Sequence, residues 1–383
     1  MKKILVINTK YKNFGGEDAN IIEELDILRK HYDVRYLEFN NSGSLNLFDY
    51  LSFLINSNFN SNKLLRATLK EFKPDIAYIH NLWFRAGLKI FDILFKNRIK
   101  VILKIHNYRF DCTKFYLSKN HLNKDDFCLK CGFSSKYRFS INKYFKESYL
   151  KSLMAVRFSK TFISKLSKFS INVCVLNNFQ KNFLSNYIKN TSLNHLPNPI
   201  KVSNNREISY DVSSDYIVYA GLLTKEKGID KLLEAWHKLK IENLTLKIIG
   251  TGPLEAELKK TYKSKNIEFL GFLENHESLR QIKSSKAVIT ATRMYEAQPR
   301  LLCEASSFGV PSIYPSFGGM NEYFPEDYDL CFEQYNYKDL EEKILLLNNK
   351  KYLKDSSKKV LDYFNESLSD DIYLKRFEEI IES

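Results

Sequence analysis

The sequence predicts an α/β protein built from two doubly wound parallel sheets in series. Its 383 residues suit two domains of ~150 to 200 residues better than one core. Short β-rich runs alternate with helical patterns in two successive blocks, and the stretch Leu196-Pro197-Asn198-Pro199 separates them. Two prolines so close interrupt both helix and ladder, which places the linker there. Apolar residues make up 44% and charged residues 27%, with only 13 Gly and 8 Pro, so the chain packs rather than stays disordered.

In the first block, Lys3 to Asn8 reads as a strand, Gly16 to His31 as an amphipathic helix and Asp33 to Phe39 as a strand. Asp75 to His80 and Val101 to His106 are buried strands, and Asn172 to Leu176 is a fifth. Strands separated by helices imply a parallel sheet covered on both faces. The second block restarts with strand Tyr216 to Ala220, helix Gly228 to Leu239, strand Thr245 to Ile249, helix Pro253 to Ser264 and strand Ile267 to Leu270. Strand Ala287 to Thr290, helix Arg300 to Phe308 and strand Pro311 to Tyr314 follow. The expected domains are 1–198 and 199–366, and the amphipathic helix Asp370 to Glu382, within 367–383, is expected to pack back across the linker. Sheets of this kind take ligands at the carboxyl ends of their strands, here facing a crevice between domains.

Composition narrows the function classes. The opening Met1-Lys2-Lys3-Ile4-Leu5-Val6-Ile7-Asn8 has the lysines of a signal peptide, but its apolar run ends at four residues and no small-residue cleavage site follows. The greasiest segment, Leu47 to Ile55, is interrupted by Asp49 and Ser52 and falls short of the ~20 apolar residues of a spanning helix. A soluble or peripheral protein is expected. Six cysteines with one Cys-x2-Cys pair make no disulfide framework, which points to a reducing cytoplasm.

The formal charge of +14 is concentrated: Gly132 to Ile200 holds eleven Lys or Arg against the single acid Glu147. Phe139, Tyr144, Phe145, Tyr149, Leu150 and Phe158 lie among those cations, a mixture that suits an anionic membrane surface. An ordinary solvated helix face is the blander account. A nucleic-acid partner is not expected, because no helix-turn-helix, zinc-finger or aromatic RNA-binding signature accompanies the charge.

Three groups of residues carry chemistry. Gly15-Gly16 sits at a strand-to-helix turn, where glycine lets the backbone approach an anion and the helix supplies N–H groups, although a tight turn without ligand fits equally well. The segment Met294-Tyr295-Glu296-Ala297-Gln298-Pro299-Arg300-Leu301-Leu302-Cys303-Glu304-Ala305 puts one carboxylate in a loop after a strand and another on the helix that follows Pro299. Carboxylates accept pairs of hydroxyl hydrogen bonds and a helix N-terminus offers N–H groups to phosphate, so the spacing suits a sugar nucleotide. Taken without further context, two solvated acids explain it as simply. Cys112, His121, Cys128 and Cys131 are zinc-ligand types at plausible spacing for a structural site.

The second block resembles the retaining glycosyltransferases of the GT-B fold, group 1. Their Glu-x7-Glu signature matches Glu296 and Glu304, followed by Gly309-Val310-Pro311 and Gly318-Gly319 with Glu322. Gly221-Leu222-Leu223-Thr224-Lys225-Glu226-Lys227-Gly228, Gly250-Thr251-Gly252-Pro253 and Phe269-Leu270-Gly271-Phe272 are similar in order and spacing. In the first block Gly15-Gly16-Glu17-Asp18, His80-Asn81-Leu82-Trp83 and His106-Asn107-Tyr108-Arg109 resemble a branch found in bacterial capsule and O-antigen pathways.

The resemblance implies two Rossmann-like domains and transfer of a sugar from a nucleoside diphosphate donor to a glycan or lipid-linked acceptor, with retention. It implies that Glu304 holds the donor ribose, Glu296 a hydroxyl of the transferred sugar, and Lys227 the leaving diphosphate. The Gly15-Gly16 loop and the helix starting near Pro299 and Arg300 assist with the phosphates. His106 falls near the reacting centre, and His80 and Arg109 organise its loop or meet the acceptor. Catalysis in this group needs no metal or other cofactor; it rests on oriented cations and N–H dipoles.

Two departures stand out. The group pairs the motif lysine with an arginine where this chain has Leu222, a gap that Arg293, Arg300 or Lys225 could fill. The branch has a further cysteine where this chain has Ser148, which argues against a tight zinc site. A catalytically weak sugar-nucleotide or glycan-binding subunit, and a sugar-nucleotide epimerase of the same fold, are the alternatives.

Overall fold

The computed structural model describes residues 1–10, 16–41, 47–108, 148–169, 171–185, 188, 191–200 and 210–383. The described residues fall into two compact units, one reaching Pro199 and including Asp370–Ser383, the other covering Ile200–Ser369.

The first unit runs β1 (Lys3–Lys10), α1 (Gly16–His31), β2 (Asp33–Asn40), α2 (Leu47–Leu54), α3 (Phe59–Phe72) and β3 (Ile76–Ile79). It continues with α4 (Lys89–Lys96), β4 (Lys100–Ile105), α5 (Tyr149–Lys168), β5 (Asn172–Val175), α6 (Asn178–Ser185) and β6 (Ser192–His195). These strands form one parallel sheet in the order β2-β1-β3-β4-β5-β6. Alternation along the strands separates two cores. Leu5, Ile7, Ala77, Ile79, Leu103 and Val173 pack on one face, while Ile4, Val6, Ile76, Tyr78, Ile102 and Cys174 pack on the other.

The second unit runs β7 (Tyr216–Ala220), α7 (Ile229–Leu239), β8 (Thr245–Ile249), α8 (Glu255–Thr261), β9 (Ile267–Gly271), α9 (Asn275–Lys283) and β10 (Val288–Ile289). Then come α10 (Arg300–Ser307), β11 (Ser312–Ser316), β12 (Cys331–Glu333), α11 (Tyr337–Leu345) and α12 (Lys350–Ser367). Its sheet is also parallel, in the order β12-β11-β10-β7-β8-β9. The α/β architecture of two doubly wound sheets is thus present. The edge strands β6 and β12 have no counterpart in the sequence reading, because Ser192–His195 and Cys331–Glu333 are short and lack the apolar run that marks a buried strand.

The last helix, α13 (Asp370–Glu382), packs on the first unit. Tyr373, Phe377, Ile380 and Ile381 join α1 in covering one sheet face, and Phe377 packs against Tyr78 with ring centroids 5.1 Å apart. Lys100 and Asn172 donate to the carbonyls of Ile381 and Ile380, which fixes the helix end against β4 and β5.

Candidate active site

In each sheet the strand order reverses once, and sheets of this kind take ligands at the carboxyl ends of the strands beside such a reversal. The reversal lies between β1 and β3 in the first unit and between β7 and β10 in the second.

In the second unit, the loop after β7 carries Lys227 and the loop after β10 carries Glu296. Their side chains meet, with Lys227 Nζ donating to Glu296 Oε1 at 2.6 Å and Thr292 Oγ1 donating to the same oxygen at 3.1 Å. The pair is partly exposed, 28% and 18% by side chain, so it can exchange partners with a ligand. Backbone packing makes this meeting possible. Gly228 has φ +69°, and a Cβ there would lie 1.8 Å from the Ala291 carbonyl oxygen. Only glycine lets the two loops approach so closely, and Arg293 N–H donates to the Glu226 carbonyl across the same junction. Likewise a Cβ on Gly250 would lie 2.0 Å from the Gly221 carbonyl oxygen. These motif glycines serve the close approach of strand-end loops.

Pro299 caps α10, and Arg300 and Glu304 follow one turn apart with Arg300 Nε donating to Glu304 Oε1 at 2.6 Å. Glu304 is 8% exposed, so its ion pair is retained mainly because a bare buried carboxylate is costly. Leu222 is 60% exposed. Of the cations expected to stand in for an arginine at that position, Arg293 is held by both oxygens of Asp230 at 2.9 and 3.0 Å and Arg300 by Glu304, while Lys225 is exposed. Asp230 and Thr292 are the partners that sequence reasoning missed; neither belongs to a recognisable motif.

Asp327-Tyr328-Asp329 has the Asp-x-Asp spacing of many metal sites. Asp327 pairs with Lys359 and Asp329 accepts from the Tyr352 hydroxyl, so both carboxylates tie α12 to the sheet. Among the described residues no group of three or more His, Cys, Asp or Glu is placed to hold a metal.

In the first unit, His80 follows β3 and His106 follows β4, with His80 Nδ1 and His106 Nε2 2.8 Å apart. Behind them lies a charged cluster that the sequence reading did not include. Lys104 Nζ donates to Glu24 Oε1 at 2.6 Å, and the hydroxyls of Tyr78 and Tyr373 donate to Glu24 Oε2 at 2.6 and 2.7 Å. Lys104 and Glu24 are 0% and 1% exposed. Burial alone would raise the Glu24 pKa, but Lys104, His80 and Tyr78 together hold it below the usual carboxylate value. Burial pushes His80 down to about 4, against the pull of Glu24 and with help from Lys104, and pushes His106 well below the ordinary histidine value. The signal available in the sequence was a lysine inside the otherwise apolar Val101-Ile102-Leu103-Lys104-Ile105 strand.

Gly16 opens α1 and is exposed, and Asn107 donates to Glu17 at 3.2 Å. Gly15, Arg109 and the four residues Cys112, His121, Cys128 and Cys131 lie outside the described residues.

The family described as "Glycosyl transferases group 1" matches residues 204–361, the stretch that contains Lys227, Glu296 and Glu304. The second unit thus resembles a group 1 glycosyl transferase domain. The amylovoran biosynthesis glycosyltransferase AmsD of Erwinia amylovora is 28% identical over 165 residues, which are 42% of this chain and 46% of that protein. The matched stretches span less than half the length of the curated relatives.

Among solved structures, S. aureus TarM in complex with UDP is 15% identical, with a TM-score of 0.68 and 100% of both chains covered. Anabaena HepE in complex with UDP-glucose is 13% identical, with a TM-score of 0.66 and 100% of both chains covered. These likenesses establish the GT-B fold around the group 1 domain.

Proposed function

We propose that the protein is a retaining glycosyltransferase that moves a sugar from a nucleoside diphosphate sugar to a glycan or lipid-linked acceptor in bacterial surface polysaccharide synthesis. The observation that carries this reading is the meeting of Lys227 and Glu296 at the point where the strand order of the group 1 domain reverses. Without ligand the two neutralise each other. A bound donor offers each a better partner: the diphosphate takes Lys227 as charge develops on it, and sugar hydroxyls donate to Glu296. Glu304 receives the ribose hydroxyls from α10. AmsD is an amylovoran biosynthesis glycosyltransferase and HepE binds UDP-glucose, and the likeness to both supports sugar transfer from a uridine diphosphate donor.

A panel of uridine, guanosine and adenosine diphosphate sugars should contain at least one that raises the melting temperature, since a ligand bound only by the native state stabilises it. Glu304→Gln and Lys227→Ala should each weaken binding of that donor roughly tenfold to 150-fold, the equivalent of ~1.5 to 3 kcal/mol for a hydrogen bond to a charged group. Their own melting temperatures should stay near that of the unaltered protein. Undiminished donor affinity in both variants would remove these residues from the site.

One observation favours a second reading. The exposed Leu222, with Arg293 and Arg300 both engaged elsewhere, leaves the diphosphate fewer cations, as a weak or binding-only subunit would have. Release of free sugar from the bound donor separates the two, because an active transferase leaks sugar to water and a binding subunit does not.

The acceptor side is proposed to dock on anionic lipid. Phe48, Leu51, Ile55 and Phe59 on and beside α2 and α3, and Tyr149, Leu150 and Leu153 of α5, are exposed apolar residues, and α2 packs against α5. Arg157 and Lys160 are exposed further along α5, within the basic stretch. Among the described residues no helix is long and apolar enough to cross a membrane, so the contact is peripheral. Sedimentation should show binding to vesicles containing phosphatidylserine but not to neutral ones, weakening as salt shortens the screening length. Changing Lys143, Lys146 and Lys151 to Glu should abolish it; equal recovery in the supernatant with both vesicle types at low salt would refute the docking.

A further inference from the structure

We propose that Glu24 and His80 are positioning residues that fix the tautomer of His106, so that His106 donates from Nε2 to His80 and keeps Nδ1 as an acceptor for a sugar hydroxyl. The last clause rests on the transferase reading; the tautomer does not.

The two rings lie 5.1 Å apart at 26°, just past the ends of adjacent strands, with Nδ1 of His80 2.8 Å from Nε2 of His106. A neutral imidazole has one N–H and one lone pair, so this contact admits two arrangements. In one, His80 donates and His106 is left with an N–H at Nδ1. In the other, His106 donates and its Nδ1 carries the lone pair.

Glu24 selects between them. Its Oε2 stands 4.0 Å from His80 Nε2, with both side chains at most 1% exposed. That is beyond hydrogen-bond reach, yet in a dry interior a carboxylate at this distance favours an N–H edge over a lone pair. The carboxylate cannot turn away or give up its charge, because Lys104 holds one oxygen and the Tyr78 and Tyr373 hydroxyls hold the other. Glu24 also acts on His80 more strongly than Lys104 does. A proton on His80 Nε2 leaves His80 Nδ1 as acceptor, and His106 must then donate from Nε2.

The consequence at the far end is an orphan. His106 Nδ1 is buried and has no hydrogen-bond partner among the described residues. A buried acceptor left unmet in a native structure calls for a partner that arrives later. With a lone pair rather than an N–H, it takes a hydroxyl and rejects a phosphate oxygen. One buried carboxylate, completed by Tyr373 of the C-terminal helix, therefore sets the chemistry offered two side chains away.

The test is a long-range proton–nitrogen correlation spectrum of the full chain labelled with 15N-histidine, with His80→Asn and His106→Asn used for assignment. Both rings should show the neutral Nε2–H pattern at pH 7 and keep it at pH 6. In Glu24→Gln the amide can present its NH2 to His80 Nε2, and the His106 pattern should invert to Nδ1–H. A wild-type His106 protonated at Nδ1, or charged at pH 6, overturns the proposal even if Glu24→Gln fails to fold. An unchanged pattern in a folded Glu24→Gln protein overturns the role of Glu24. UDP-glucose should move the His106 Nδ1 resonance while UDP leaves it in place. Binding of UDP-glucose with no movement overturns the hydroxyl clause. Absence of a melting shift with either nucleotide counts instead against a uridine diphosphate donor, and the tautomer pattern still decides the relay.

Discussion

Lys104→Met should lower the stability of the first unit by about 3 to 5 kcal/mol, among the largest single-residue effects the structure supports. The reason is what remains behind. Glu24 and Lys104 are both fully buried, and their separation of 2.6 Å lets the cation offset the cost of taking the carboxylate out of water. Without Lys104 the carboxylate keeps only the Tyr78 and Tyr373 hydroxyls, and it must either stay charged in a dry site or take up a proton. The second variant makes the interpretation specific. Glu24→Gln together with Lys104→Met removes both charges and should recover most of the loss, because two neutral groups carry no unpaired charge. Urea unfolding, read through amide exchange of the β3 and β4 peptides, measures both. A loss below ~1 kcal/mol in the single variant would show that the carboxylate is solvated after all.

Acidification from pH 7 to pH 5 should destabilise the first unit by up to ~1.4 kcal/mol per pH unit for each buried histidine. The sign follows from where the protons sit. The folded His80 titrates at about 4 against an ordinary 6.5, so between those values the unfolded chain binds a proton that the folded one excludes. Stability therefore rises with pH across that window and falls on acidification; His106, also lowered by burial, adds to it. Glu24 acts in a separate window. Its lowered value gives stability that is present above the ordinary carboxylate range and lost only as pH falls below it. Melting temperatures at pH 7, 6 and 5 should decline steadily in the unaltered protein and much less in a His80→Gln/His106→Gln variant. An equally steep decline in that variant would assign the acid sensitivity to other groups.

Much of this was legible in the sequence. The alternation of β-rich and helical stretches was enough for two doubly wound sheets, since a strand buried on both faces has to read as an unbroken apolar run. Lys227, Glu296 and Glu304 could be singled out because the group 1 resemblance lies in local motifs, and two of the motif glycines, Gly228 and Gly250, stand where the backbone approaches too closely for a Cβ. The short edge strands were not legible, because four residues such as Ser192–His195 become a strand only when a neighbour offers its backbone.

By itself, the sequence determined the order of the elements and the residue types carried at the strand ends, because both depend on periodicity and spacing along the chain. Only the tertiary structure decided which groups face one another. Glu24 from α1, Tyr78 of β3 and His80 just after it, Lys104 of β4 and His106 just after it, and Tyr373 from α13 form one cluster, although Glu24 and Tyr373 are 349 positions apart. No spacing rule reaches so far. A carboxylate on a helix reads as solvated until burial removes its water, and burial is a property of the packed sheet. The same applies to Lys227 and Glu296, which are 69 positions apart and meet because β7 and β10 are neighbours in the sheet.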